Sequence, residues 1–144
     1  PLIEAKKEGF DEVIYLDANN NKTVEELGSA NLFVCKDGII KTPSLDGSIL
    51  DGVTRNSVCK IAENMMGMKV VQTKVYIDDL YDADEIFCTG TAVVVTPVGK
   101  ITYNDKVIKI NGNIMGSITE KLRKTILGIQ REEIDDPFNW LIHL

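Results

Sequence analysis

The sequence predicts one mixed α/β domain in which helices flank a curved, largely antiparallel or barrel-like sheet. Short apolar runs with strand character recur between Glu12 and Ile110, and two amphipathic helical stripes interrupt and close them. Strands and helices mix without a strict βα alternation, which argues against a doubly wound parallel sheet. With 144 residues and no internal repeat, low-complexity tract or linker, residues 1–144 read as a single domain with its own core.

Each element has a local reason. Pro1 to Glu8 finish a helix that Gly9 ends. Glu12 to Leu16 form a short strand, closed by the turn-rich Asp17-Ala18-Asn19-Asn20-Asn21. Asn31–Cys35 and Ile39–Lys41 pair as a hairpin around Lys36-Asp37-Gly38, because Asp-Gly favours the two-residue turn that matches strand twist. In Thr54 to Met66, Val58, Ile61, Ala62 and Met65 recur at helical spacing, and Gly67 stops the helix. A strand over Lys69–Val75 and a short acidic helix over Ile77–Asp82 follow. Strands Glu85–Cys88 and Ala92–Thr96 flank a turn at Gly90, and Asp105–Ile110 adds another strand. Ser117-Ile118-Thr119-Glu120 is a capping box for the last helix, whose buried face is Ile118, Leu122, Ile126 and Ile129. Asp135 to Trp140 is a turn with aromatic anchors.

Composition excludes several classes. The apolar fraction of 44% and charged fraction of 26% are those of an ordinary soluble protein. Sixteen basic residues against 22 acidic ones, without a basic cluster, argue against a nucleic-acid partner, since phosphate-backbone binding needs lysine and arginine stripes. The longest apolar run, Thr91 to Val98, is too short to span a bilayer, and no signal peptide opens the chain, so the expected compartment is the cytoplasm. Cys35, Cys59 and Cys88 are odd in number and lack CxxC spacing, which points to core residues rather than a disulfide frame or zinc site. His143, the only histidine, has no ligand companion, so no metal is expected.

Three stretches can carry chemistry. Glu25-Glu26 stand before Leu27-Gly28-Ser29 between apolar strands; a carboxylate held there would pair strongly with a protonatable nitrogen. A solvated turn is the plain alternative. Strand alternation makes Glu25 the outward neighbour. Leu50-Asp51-Gly52-Val53-Thr54-Arg55 runs from a loop into a helix, where Gly52 permits close backbone approach and free N–H groups suit a phosphate. The same residues also read as an ordinary helix cap by Asp51 or Thr54. In Thr89-Gly90-Thr91-Ala92, hydroxyls and turn amides can donate to phosphate or carboxylate oxygens, or simply close two strands.

Taken together, in order and wording, the stretches from Glu26 to Phe33, from Thr42 to Arg55 and from Gly90 to Ala92 resemble the class IV aminotransferases, pyridoxal 5′-phosphate enzymes of fold type IV. Gly128-Ile129-Gln130 and Asp136-Pro137-Phe138-Asn139-Trp140 are similar to the ending of the branched-chain amino-acid aminotransferases within that family. The resemblance covers essentially the whole chain and implies the C-terminal large domain of that fold. It implies that Glu26 faces the pyridine nitrogen and that Leu50 packs on the ring. Val53 and Thr54 give backbone N–H groups to the phosphate, and Thr91 adds its hydroxyl. The Thr91–Ala92 amides lie where a substrate carboxylate binds, with Ser29 on the substrate side. The reaction implied moves an amino group from leucine, isoleucine or valine to 2-oxoglutarate, in a homodimer.

The sequence departs from the family pattern where the Schiff-base lysine belongs. In the family that lysine precedes the helix that Pro1–Glu8 finishes, and neither Lys6 nor Lys7 takes its place. The expectation is a cofactor-binding domain that is inactive alone, because anchoring and proton transfer both need the amine. Two other readings stand beside it. One is a D-amino-acid aminotransferase or aminodeoxychorismate lyase; the other is a non-catalytic binding or subunit-interaction module. Val93 and Thr96 replace a CxxC pair of some relatives, so thiol regulation is not expected.

Overall fold

The computed structural model describes residues 1–144, and its strands form three sheets rather than one closed barrel. The central sheet has the order β5-β4-β3-β7-β8, from strands β3 (Asn31–Lys36), β4 (Ile39–Pro43), β5 (Lys69–Thr73), β7 (Glu85–Gly90) and β8 (Val94–Pro97). β3 and β4 form the expected hairpin, with Asp37 and Gly38 both at positive φ as a tight two-residue turn requires. β4 and β5 run parallel, and α2 (Val53–Asn64) makes the crossover that a parallel pair needs. The other pairs in this sheet are antiparallel.

Alternation along β3 and β7 divides the core in two. Phe33, Cys35, Phe87 and Val95 face α2 and α4 (Ser117–Gln130), and Phe33 stacks on its cross-strand partner Phe87 at 4.8 Å. Leu32, Val34, Ile86 and Cys88 face the other way, toward a three-stranded sheet of β1 (Ile14–Leu16), β2 (Thr23–Leu27) and β6 (Val75–Tyr76). α1 (Leu2–Lys7), α3 (Ile77–Tyr81) and a hairpin of β9 (Lys100–Tyr103) with β10 (Lys106–Lys109) complete the fold. Phe138 stacks on Trp140 at 4.3 Å, and both pack on the α2–α4 side of the core. No helix is long and apolar enough to cross a membrane.

The structure corrects several local expectations. Glu12 and Val13 precede β1 rather than joining it. The run Lys69–Val75 divides at Lys74, sending β5 to the central sheet and β6 to the smaller one. Residues 91–93 form a turn, so β8 starts at Val94, whose φ of 55° is an outlier for a β-branched residue. Met65 lies past the end of α2 and is 40% exposed, while Cys59 and Arg55 join the buried face instead. The Ser117–Glu120 capping box does not form: Gly116 is the N-cap and a distant carboxylate does the capping. All three cysteines are buried and unpaired.

Candidate functional site

At one end of the central sheet, where β3 begins and β7 finishes, β2, β3, β7 and the first turn of α2 surround a cavity of about 290 Å³. Glu26, Ser29, Leu50, Val53, Thr54, Thr91 and Ala92 all line it, so the structure brings together the seven residues to which the family resemblance gives a cofactor or substrate role. Glu25 is not among the lining residues, as alternation along β2 requires.

The loop before α2 is held at one residue from both sides. The Leu50 N–H donates to Glu26 Oε2 at 3.2 Å, and the Leu50 carbonyl accepts from Asn31 Nδ2 at 2.8 Å. Its backbone is thus fixed while its side chain stays exposed, with 69% of the residue open to solvent, which suits a group meant to cover a flat ligand. Gly52 must be bare, because a Cβ there would run into Asn31 Oδ1. Gly90 is similarly confined: a Cβ would stand 3.1 Å from the Ser29 carbonyl oxygen. These two glycines let backbone come close around the cavity.

The start of α2 is chemically open. Gly52 is its N-cap, no side chain caps it, and no acid lies in its first turn. Asp51, a candidate cap in the sequence, instead accepts from Asn56 Nδ2 at 2.6 Å. The first amides of the helix therefore keep their donors, at the positive end of the helix dipole. With one carboxylate, an open helix end, threonine hydroxyls and an exposed leucine, the donor set fits a phosphorylated aromatic group carrying a basic ring nitrogen. No lysine lines the cavity, and no cluster of metal-ligating side chains exists in the chain.

Sequence reasoning missed three supporting residues. Asn31 was readable only as a strand start, yet it is buried and pins Leu50. Glu12 accepts a hydrogen bond from Ser29 Oγ at 3.3 Å across 17 residues of sequence, and so orients that hydroxyl. Arg55 is 1% exposed and donates to the Pro43 carbonyl at 3.0 Å and to Gln72 Oε1 at 3.1 Å, with no carboxylate in ion-pair range. Cys88 lies on the opposite face of β7, where burial, with Glu12 nearby, pushes its thiol up to about 11. It remains a neutral thiol at physiological pH.

Comparison with known proteins shows the family and the fold. The family described as amino-transferase class IV matches residues 1–101. The chain is 46% identical over 140 residues to branched-chain-amino-acid aminotransferase 2, chloroplastic, of Arabidopsis thaliana, covering 97% of this chain and 36% of that protein. Among solved structures, the Escherichia coli branched-chain amino acid aminotransferase superposes with a TM-score of 0.88 at 33% identity, over 98% of this chain and 45% of that one. The branched-chain amino acid aminotransferase from Thermobaculum terrenum, solved in its PLP-form, gives a TM-score of 0.82 at 27% identity, over 97% of this chain and 44% of that one. The chain spans less than half the length of each of these relatives. The match over most of its length, together with the shared fold, shows that this chain belongs to the class IV aminotransferase family.

Proposed function

We propose that residues 1–144 are the cofactor-holding, C-terminal domain of a branched-chain amino-acid aminotransferase that works with pyridoxal 5′-phosphate. The observation that carries this reading is the convergence of Glu26, Ser29, Leu50, Val53, Thr54, Thr91 and Ala92 on one cavity at an uncapped helix start. When bound, pyridoxal phosphate supplies an electron sink for the charge left at Cα as an amino acid loses its proton.

The chain's own residues hold and tune that group. The Val53 and Thr54 amides take phosphate oxygens, helped by the α2 dipole, and the Thr91 hydroxyl adds a donor. Glu26 keeps a proton on the ring nitrogen, since a nearby carboxylate favours the cationic form of its partner. One of its oxygens is already engaged by the Leu50 N–H, which fixes the carboxylate in place. The Leu50 side chain covers the ring and keeps water from that face. Ser29 stands on the substrate side, and the Thr91–Ala92 amides receive the α-carboxylate.

Leucine, isoleucine and valine are the proposed amino donors, and 2-oxoglutarate the acceptor. Lys6 and Lys7 sit on α1, outside the cavity lining. The amine that moves the proton is therefore proposed to come from beyond these 144 residues, in a homodimeric cytoplasmic protein of family length. The domain alone would bind cofactor without transaminating. The lysine-free cavity equally favours a second reading, a non-catalytic cofactor-binding or subunit-interaction module.

Equilibrium dialysis of the 144-residue chain against pyridoxal phosphate and against pyridoxal, followed by borohydride treatment and peptide mapping, tests the binding claim. The expected result is retention that depends on the phosphate, with no residue of the cavity fixed covalently. Failure to retain pyridoxal phosphate, or equal retention of pyridoxal, contradicts the proposal. Adding leucine and 2-oxoglutarate to a family-length protein carrying this domain separates the readings: turnover supports the aminotransferase, and its absence supports the module.

A further inference from the structure

We infer that the buried hydroxyl of Thr89 is a further donor to the anion held at the start of α2, an inference that rests on the cofactor reading above. Thr89 is 0% exposed, and its Oγ1 has no hydrogen-bond partner in the protein. Among all buried side-chain nitrogen and oxygen atoms, the only other one in that condition is Nε of Arg55, which belongs to the first turn of α2. Folded proteins pair nearly all such atoms, and an orphan marks a place that something else completes.

The topology shows where the hydroxyl faces. Along β7, Phe87 points to the side of the sheet that carries α2, while Ile86 and Cys88 point away. Thr89, two residues after Phe87, shares its side. Directly across on β3 is Asn31, whose amide holds the Leu50 carbonyl and whose Oδ1 lies against Gly52. Thr89 thus sits beneath the loop that opens α2, and it lines the cavity with Val53, Thr54 and Thr91. The next residue, Gly90, is tightly placed as well, since a Cβ there would stand 3.1 Å from the Ser29 carbonyl oxygen.

The buried charge in the first turn of α2 is positive, while the carboxylates of Glu26 and Asp51 are taken up by the Leu50 N–H and the Asn56 amide. The guanidinium of Arg55 is buried without a carboxylate, and its hydrogen bonds go to the Pro43 carbonyl and the side chains of Gln72 and Asn56, all neutral acceptors. A buried cation beside an uncapped helix start creates a field that favours an anion. Thr91 is the threonine that the family resemblance picks out; it is exposed, whereas Thr89 is wholly buried with its hydroxyl unpartnered.

Thr89→Val removes the hydroxyl with almost no change of shape, and Thr89→Ser keeps it. In the 144-residue chain, thermal unfolding and calorimetric titration with inorganic phosphate, pyridoxal phosphate and pyridoxal read the effect. Without ligand, Thr89→Val is expected to unfold at the same or a higher temperature, because an orphan is lost. Its affinity for phosphate and for pyridoxal phosphate should fall about tenfold, that of pyridoxal should not move, and Thr89→Ser should bind as wild type does. Wild-type affinity for pyridoxal phosphate in Thr89→Val would overturn this inference and leave the cofactor reading intact. A lower unfolding temperature in ligand-free Thr89→Val would also overturn it, by showing an internal partner. A wild-type chain that binds neither phosphate nor pyridoxal phosphate would overturn both.

Discussion

The two long helices of this domain begin in opposite ways. At the start of α4, the buried Glu85 carboxylate reaches in from β7 and accepts from the Ile118 N–H at 3.2 Å, the Thr119 N–H at 2.9 Å and the Thr119 hydroxyl at 2.8 Å. Gly116 has no side chain because one would collide with that carboxylate. At the start of α2 there is no side-chain cap and no acid in the first turn, and the buried charge there is the Arg55 cation. Both ends have the same orphan amides and the same dipole. One is closed by the protein itself, which makes it structural. The other is left open beside a cavity, which is the basis of the proposed phosphate site.

The largest expected effect breaks the closed end. Glu85→Ala leaves two amides and a hydroxyl without their acceptor, and should cost about 3 kcal/mol of stability. Chemical denaturation would show it, while the affinity for pyridoxal phosphate in the folded fraction should hold. Gly52→Ala attacks the open end. The new methyl displaces Asn31 and frees Leu50, for a loss of about 2 kcal/mol, and titration should show phosphate affinity falling with it.

Val53→Glu sharpens the contrast by separating the two properties. Val53 is 83% exposed, so an acid there meets the helix dipole without a packing change. Stability should rise by about 0.5 kcal/mol, yet phosphate binding should be lost to charge repulsion. A fall in stability with binding kept would mean that α2 does not present free amides to the cavity.

The smallest effect at neutral pH lies in the thiols. Burial, with Glu85 and then Asp84 nearby, pushes Cys35 up to about 12, and burial with Glu12 pushes Cys88 up to about 11. Both folded-state values lie above the ordinary thiol range. Their contribution to stability is complete below about pH 9 and is lost as the pH rises toward the folded values, because the unfolded chain releases those protons first. Urea midpoints should therefore decline above about pH 9. Native thiol labelling in mildly alkaline buffer should be slow for Cys35 and Cys88, and Glu85→Ala should speed it at Cys35 more than at Cys88.

Much of this arrangement was legible in the sequence because its signals are local. Asp37-Gly38 dictates its own turn, and Leu122, Ile126 and Ile129 mark the buried face of α4 by spacing alone. Glu26, Gly52 and Thr91 stood out because carboxylate, glycine and threonine in those contexts suggest ligand chemistry. What was not legible depends on partners far away in the chain. Ser117-Ile118-Thr119-Glu120 has the wording of a capping box, yet Glu85, 33 residues before Ile118, does the capping instead, at the Ile118 and Thr119 amides. Asn31, Glu12 and Arg55 look ordinary until the fold brings Leu50, Ser29 and Pro43 beside them. The left-handed backbone of Val94 contradicts its residue type, and only the turn that precedes it in the fold accounts for the shortened strand.

The central question is whether the start of α2 is held open for an anion. Backbone amide NMR of the 144-residue chain, titrated with pyridoxal phosphate, tests that most directly. The Val53 and Thr54 N–H resonances should move together and farther than any others, toward values typical of phosphate acceptance, while Ile118 and Thr119 at the closed end stay in place. Saturable binding that leaves Val53 and Thr54 unmoved, or that shifts both helix ends alike, would contradict it.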